Sequence, residues 1–315
     1  MFLSIFLFIA GIVILYFGAI WTVKGSSNIA IFLGIRPIII GLTIVSIGTS
    51  LPELVVSVVA AINESKDIAL GNIIGSNIAN IGLVLALSAI IKPLKISAST
   101  IKKEIPIMIG VSVLLYVLAM DKNINRMDGI ILFIGIVLFI IYCVFDAKHS
   151  HESGEGIAGD FESIGKKEYS ISYELLITSA GLIGIVLGAK LMVDSAVFLA
   201  RTLGLSELFI GMTIVAVGTS LPELATSMVA AYKGKVEISV GNVIGSNIFN
   251  ICMVIGLVSI ISPFTVDQLI LNREFLIMLA FSILLLLLAM HKMTLTRTKG
   301  VLFFLGYGWF IWVTI

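Results

Sequence analysis

Charge is what this sequence has least of. Only 12% of its 315 residues are Asp, Glu, Lys or Arg, about half the share of an ordinary soluble domain, which excludes a soluble globular protein. Nineteen acidic against twenty basic residues leave a net charge of +1 with no basic block, so a nucleic-acid partner has no electrostatic footprint. Cysteine is nearly absent too. Cys143 and Cys252 both lie inside apolar runs, which excludes a stapling disulfide framework. The first apolar run has no basic residue ahead of it and no small-residue cleavage site behind it. It is therefore expected to be a span and not a cleavable signal.

What remains is apolar: 59% of the chain. A hydrocarbon core about 30 Å thick needs roughly 20 such residues per helix. Ten runs of that kind begin near Phe2, Pro37, Ile68, Ile105, Gly129, Leu175, Leu208, Ile238, Phe275 and Val301. With both termini outside, fourteen Lys and Arg fall in cytoplasmic loops, five in outer loops and Lys190 within a span, as the positive-inside rule requires. The longest polar stretch, 146–174, divides the chain into repeats at 1–145 and 175–315 and reads as a cytoplasmic linker. Its His149 and His151 read as solvated residues, since no cysteine stands near them.

The halves repeat one another. Residues 41–80 match residues 211–250 at a constant offset of 170, with 24 of 40 positions identical. Gly11 with Gly181, Gly18 with Gly188, and Leu33-Gly34 with Leu203-Gly204 echo the same offset. Five spans per half is an odd number, so the second copy enters the membrane from the opposite side. The expected fold is thus an all-α integral membrane protein of ten transmembrane helices, arranged as two inverted five-helix repeats with broken helices at the midplane. Secondary transporters recurrently use this architecture, with the substrate held between the halves.

Chemistry concentrates in the repeated segments. Each copy reads Gly-Thr-Ser-Leu-Pro-Glu, at 48–53 and at 218–223. Pro52 and Pro222 each remove a backbone donor, so the helix should break and free carbonyls at 46–49 and 216–219. Glu53 and Glu223 lie deep in these spans with no Lys or Arg within a turn. Keeping each charged costs about 2.5–3.5 kcal/mol on insertion scales, and a bound cation offsets that cost. The second motif, 71–80 and 241–250, carries GxxxG spacings suited to close packing. In it Ser76 and Asn80, like Ser246 and Asn250, share one helical face and present neutral oxygens. Asn72, Asn77, Asn242 and Asn247 are expected to satisfy neighbouring backbone groups, and Lys190 and Asp194, four apart, to neutralise each other. Two carboxylates with hydroxyls, amides and carbonyls suit Ca²⁺, and Na⁺ has nearly the same radius; Mg²⁺ fits poorly.

These residues resemble the calcium/cation antiporter superfamily, in its sodium/calcium exchanger branch and prokaryotic ten-span form. The resemblance implies that Glu53 and Glu223 are shared by Ca²⁺ and Na⁺. Thr49, Ser50, Ser76, Asn80, Thr219, Ser220, Ser246 and Asn250 would assist, with the carbonyls of Ser46 and Ala216. It also implies that the first and sixth spans slide over the remaining core. Potassium-coupled relatives carry aspartate where Asn250 stands, so K⁺ independence is expected, and the linker is too short for a calcium-sensing domain. The expected activity is Na⁺/Ca²⁺ antiport across the cell membrane in the direction of Ca²⁺ export, with no enzyme chemistry, no cofactor and no obligatory protein partner. Proton/Ca²⁺ exchange through the same glutamates is the alternative. A simple channel does not need two inverted, separately broken halves, and an intramembrane aspartyl protease lacks its Gly-x-Gly-Asp segment here.

Overall fold

The computed structural model describes residues 2–62, 66–153, 170–203 and 216–314. Helix is found on all ten apolar runs; the start of the seventh, near Leu208, lies outside the described residues. Among the described residues, six helices are long and apolar enough to cross a membrane by themselves. A seventh is added when Pro37–Thr49 and Leu51–Ile62, which meet at 44°, are taken as one bent span. Helices Glu104–Ala119 and Arg297–Thr314, and the pair Ala216–Thr219 and Leu221–Tyr232, complete the repeated pattern.

Helices start earlier than the apolar runs do. The fifth begins at Arg126, the sixth at Ile171, and the ninth through a π-helical turn, Ile270–Glu274. Polar first turns extend a helix beyond the hydrocarbon because their orphan N–H groups find caps. Asn125 Oδ1 accepts from the Asp128 N–H at 3.2 Å while Asp128 Oδ2 accepts from the Asn125 N–H at 2.8 Å, a reciprocal capping box. The expected linker shortens accordingly. Helix Arg126–Ser153 occupies its first residues and helix Ile171–Thr202 its last. Asp146, expected to open it, is instead nearly buried and paired with Arg36 and, at 3.4 Å, with Lys103.

Burial sorts the spans. In Leu70–Ile91 and Val236–Ile261 the most apolar windows are 83% and 78% buried, against 22% for Phe2–Leu33, Arg126–Lys148 and Ile171–Thr202. The two helices bearing the second motif therefore form the centre, and the others face lipid with exposed side chains such as Phe6, Leu138 and Leu176. Apolar exposure of this kind carries no penalty when the solvent is hydrocarbon.

Phe2–Leu33 and Ile171–Thr202 pack antiparallel along a glycine seam. A Cβ at Gly18 would stand 2.8 Å from the Gly181 carbonyl oxygen, and one at Gly11 2.9 Å from that of Gly188. Backbones approach this closely only where side chains are missing.

Short antiparallel pairings join the halves at both ends of the bundle. Leu94–Lys95 pairs with Thr294–Leu295, and Asn123–Ile124 with Phe264–Thr265. Lys122 and Lys292, repeat mates, both take left-handed backbone (φ 64° and 62°) in the turns that lead into these strands.

Candidate functional site

The breaks at Pro52 and Pro222 have one geometry. Ser50 sits at φ −86°, ψ 7° and Ser220 at φ −87°, ψ 3°, outside the helical region in both copies. A new helix starts at Leu51 and at Leu221, with Glu53 and Glu223 in its first turn. The N-terminal, positive end of a helix dipole thus lies beside each carboxylate. Both glutamates are buried, at 1% and 0% exposure.

The repeats exchange partners across the centre. Ser50 Oγ donates to Glu223 Oε1 at 2.9 Å, and Ser246 Oγ reaches the same oxygen at 3.4 Å. Thr49 Oγ1 donates to Asn242 Oδ1 at 3.1 Å, and Asn242 Nδ2 donates to Ser227 Oγ at 2.9 Å. Thr219, Asn72 and Ser57 repeat that circuit at 3.4 and 3.2 Å. Each threonine is thus held by an asparagine of the opposite half.

Six buried oxygens around these residues have no hydrogen-bond partner: Glu53 Oε2, Glu223 Oε2, Ser76 Oγ, Ser220 Oγ, Asn80 Oδ1 and Asn250 Oδ1. An unsatisfied polar atom at this depth costs about 1–3 kcal/mol, more when charged, so such a concentration points to a cation. Among the described residues no group of three or more His, Cys, Asp and Glu forms. Cys252 is turned elsewhere, toward Gly135 on helix Arg126–Ser153.

Several expectations need correction. The Ser46 carbonyl is not freed by the break, because it accepts the Ser50 N–H at 3.0 Å and Thr49 Oγ1 at 3.3 Å. Proline at position 52 leaves the Gly48 carbonyl without its donor, not that of Ser46. Ala216 lies in the helix Ala216–Thr219, ahead of which the residues are not described. Asn72 donates to a side chain, and Asn242 to Ser227 as well as, at 3.4 Å, to the Glu223 carbonyl. Asn77 and Asn247 do meet backbone groups, but each other's across the halves. Lys190 and Asp194 are both exposed and form no ion pair with each other. On an exposed face an i to i+4 pair gains too little to hold two flexible side chains together.

Three sets of residues are not singled out by the sequence. Ser57 and Ser227 complete the threonine circuits, and their offset of 170 is the available signal. Met108 and Met278 accept from Asn247 and Asn77. The third set lies at one end of the bundle, where Arg36 bridges Asp146 and, at 3.1 Å, the fully buried Glu104, which Tyr142 also contacts at 3.2 Å. Burial disfavours the Arg36 charge, but Asp146 and Glu104 outweigh it and raise the guanidinium above its ordinary value.

An inverted repeat with two broken, carboxylate-bearing helices around a nest of unpartnered oxygens defines a secondary transporter of cations. Residues 3–146 and 173–315 match the sodium/calcium exchanger protein family, and the chain belongs to that family. It is 36% identical to the inner membrane protein YrbG of Escherichia coli over 100% of this chain and 97% of that protein. It is 32% identical to the sodium/calcium exchanger MaX1 of Methanosarcina acetivorans over 96% and 95%. Among solved structures, the sodium-calcium exchanger NCX_Mj soaked with 10 mM Na⁺ and zero Ca²⁺ superposes with a TM-score of 0.84 at 35% identity, covering 97% of each chain.

Proposed function

We propose that this protein is a secondary active antiporter that exchanges Na⁺ for Ca²⁺ by alternating access, exporting Ca²⁺ without a requirement for K⁺. The observation that carries this reading is the set of six unpartnered buried oxygens on Glu53, Glu223, Ser76, Ser220, Asn80 and Asn250. Thr49, Thr219, Ser50 and Ser246 support them through their hydrogen bonds. Ser46 and Ala216 would add carbonyl oxygens, that of Ser46 through the lone pair not used by the Ser50 N–H.

Charge arithmetic gives the coupling. Two carboxylates are neutralised by one Ca²⁺ or by more than one Na⁺, and both ions take oxygen ligands at similar distances. An empty site left ionised would carry two charges, and enclosing these in a low-dielectric interior is costly. Only the loaded site crosses readily, which makes exchange obligatory and suppresses leak. The packing at one end of the site supports a closed path there: a Cβ at Gly245 would lie 2.6 Å from the Leu42 carbonyl and from Ser46 Oγ, and one at Gly241 2.6 Å from the Ile38 carbonyl.

The protein is a multi-pass membrane protein of the cell membrane. Both termini lie outside and the connection between the halves is cytoplasmic in our reading, supported by the distribution of Lys and Arg. The test is ⁴⁵Ca²⁺ uptake into proteoliposomes loaded with Na⁺ and diluted into Na⁺-free medium, beside choline-loaded vesicles given an inward-acidic pH gradient. Uptake that requires internal Na⁺ is expected. Uptake that follows the pH gradient and ignores Na⁺ would replace sodium coupling with proton coupling.

A further inference from the structure

An asparagine ligand has two ends of nearly equal shape, and only one of them binds a cation. The oxygen of Asn80 or Asn250 attracts Ca²⁺ or Na⁺, while the NH₂ end repels it. Something must therefore decide which end faces the ion. At the centre of this protein, neighbouring side chains make that choice.

Asn247 directs its Nδ2 between two acceptors, the Asn77 carbonyl at 3.3 Å and Met108 Sδ at 3.5 Å. Neither a carbonyl nor a thioether can donate, so the Asn247 amide cannot turn over without losing both bonds. Its Oδ1 is consequently held toward Asn80, whose Nδ2 donates to it at 3.0 Å. That fixes Asn80 in turn, with Oδ1 as the end left unpartnered. The mates repeat the chain. Asn77 Nδ2 lies between the Asn247 carbonyl at 3.4 Å and Met278 Sδ at 3.8 Å, and its Oδ1 receives Asn250 Nδ2 at 3.1 Å, leaving Asn250 Oδ1 unpartnered. All six side chains are at most 1% exposed, so no water competes for the amides.

We propose that Asn247 and Asn77, backed by Met108 and Met278, are positioning residues that set the amide orientation of the ion-binding Asn80 and Asn250. The proposal rests on the reading of Asn80 and Asn250 as ligands. Methionine is suited to the task because its sulfur accepts weakly and never donates, so it selects the NH₂ end without adding charge beside the site. A glutamine there could present either end and would leave the choice open.

The experiment is a double-mutant cycle on Ca²⁺ uptake by purified, monodisperse protein in proteoliposomes. Asn247→Ala is made alone and in an Asn80→Asp background, where both terminal atoms at position 80 are oxygen and orientation ceases to matter. Alone, Asn247→Ala is expected to raise the KM for Ca²⁺ about tenfold, as expected for one misplaced ligand. In the Asn80→Asp background the same change should not raise KM, since it removes only a contact between two acceptor oxygens. Met108→Leu, which keeps volume and removes only the acceptor, should show a smaller rise in KM with the same dependence on position 80, and it serves if Asn247→Ala does not fold. An equal loss in both backgrounds would assign Asn247 to packing and overturn the proposal. An unchanged KM in Asn80→Leu would overturn the ligand reading itself, a result distinct from the first.

Discussion

Asn77 and Asn247, 170 positions apart in the chain, each donate a side-chain amide to the other's backbone carbonyl, at 3.4 and 3.3 Å. A residue can touch its own repeat mate in this reciprocal way only beside the axis that relates the two halves. The pair therefore marks the centre of the molecule. The six unpartnered oxygens are contributed by both repeats, three from each.

Removing one carboxylate should silence transport without unfolding the protein. Glu53→Gln and Glu223→Gln keep shape and delete a buried charge, so melting in detergent should occur at the wild-type temperature or above. Na⁺-driven ⁴⁵Ca²⁺ uptake should fall by at least about thirtyfold, the loss expected when one member of a desolvated charge pair is deleted. Transport above about a tenth of the wild-type rate in either variant would contradict the site.

Arg36 should matter for stability far more than its place between two helices suggests. Deleting it strands the fully buried Glu104 without a cation and leaves Asp146 only the exposed Lys103, at a cost of about 3 kcal/mol or more. Arg36→Ala should lower the melting temperature by about 5 °C or more. Arg36→Lys should recover only part of this, since an ammonium lacks the planar fork that reaches both carboxylates. Scanning fluorimetry of the three proteins decides it.

A glycine of the second motif should prove essential to packing. Gly245→Ala puts a Cβ 2.6 Å from the Leu42 carbonyl and from Ser46 Oγ and should destabilise by about 1–3 kcal/mol. Scanning fluorimetry of the purified variant checks it, and a melting temperature equal to the wild type would rule this out.

Along the glycine seam of the two long helices, Gly18→Leu should act on movement and not on affinity. The added side chain meets the Gly181 carbonyl and the Ile185 amide, both 2.8 Å from the Cβ. Equilibrium binding of ⁴⁵Ca²⁺ in detergent should stay within about twofold while vesicle uptake drops about tenfold. A matching loss of binding would place Gly18 in the site's support instead.

Much of this architecture is legible in the sequence. Apolar run length depends only on the thickness of hydrocarbon, so all ten passes can be counted. The 170-residue offset exposes the inversion because five is odd. Polar side chains that must find each other across the fold are harder to read. Nothing local tells Thr49 that its partner is Asn242, or Arg36 that it will meet Asp146. Met108 looks like any core methionine, since its acceptor role exists only once Asn247 is packed against it. Lys190 and Asp194 mislead in the opposite direction, because ideal helical spacing says nothing about whether two exposed side chains prefer one another to their surroundings.

The two small strand pairings have a last implication. Leu94–Lys95 and Phe264–Thr265 are repeat mates, and Asn123–Ile124 corresponds to Thr294–Leu295 with a shift of one residue, yet each strand pairs with the other half and never with its own. The two crossings sit at opposite ends of the bundle. The halves are therefore fastened to each other by contacts that do not involve the chain between them. Two separate five-helix proteins, inserted in opposite senses, would already possess both fastenings. Joining them in one chain raises their effective concentration for each other, while the fastenings themselves lie elsewhere in the fold.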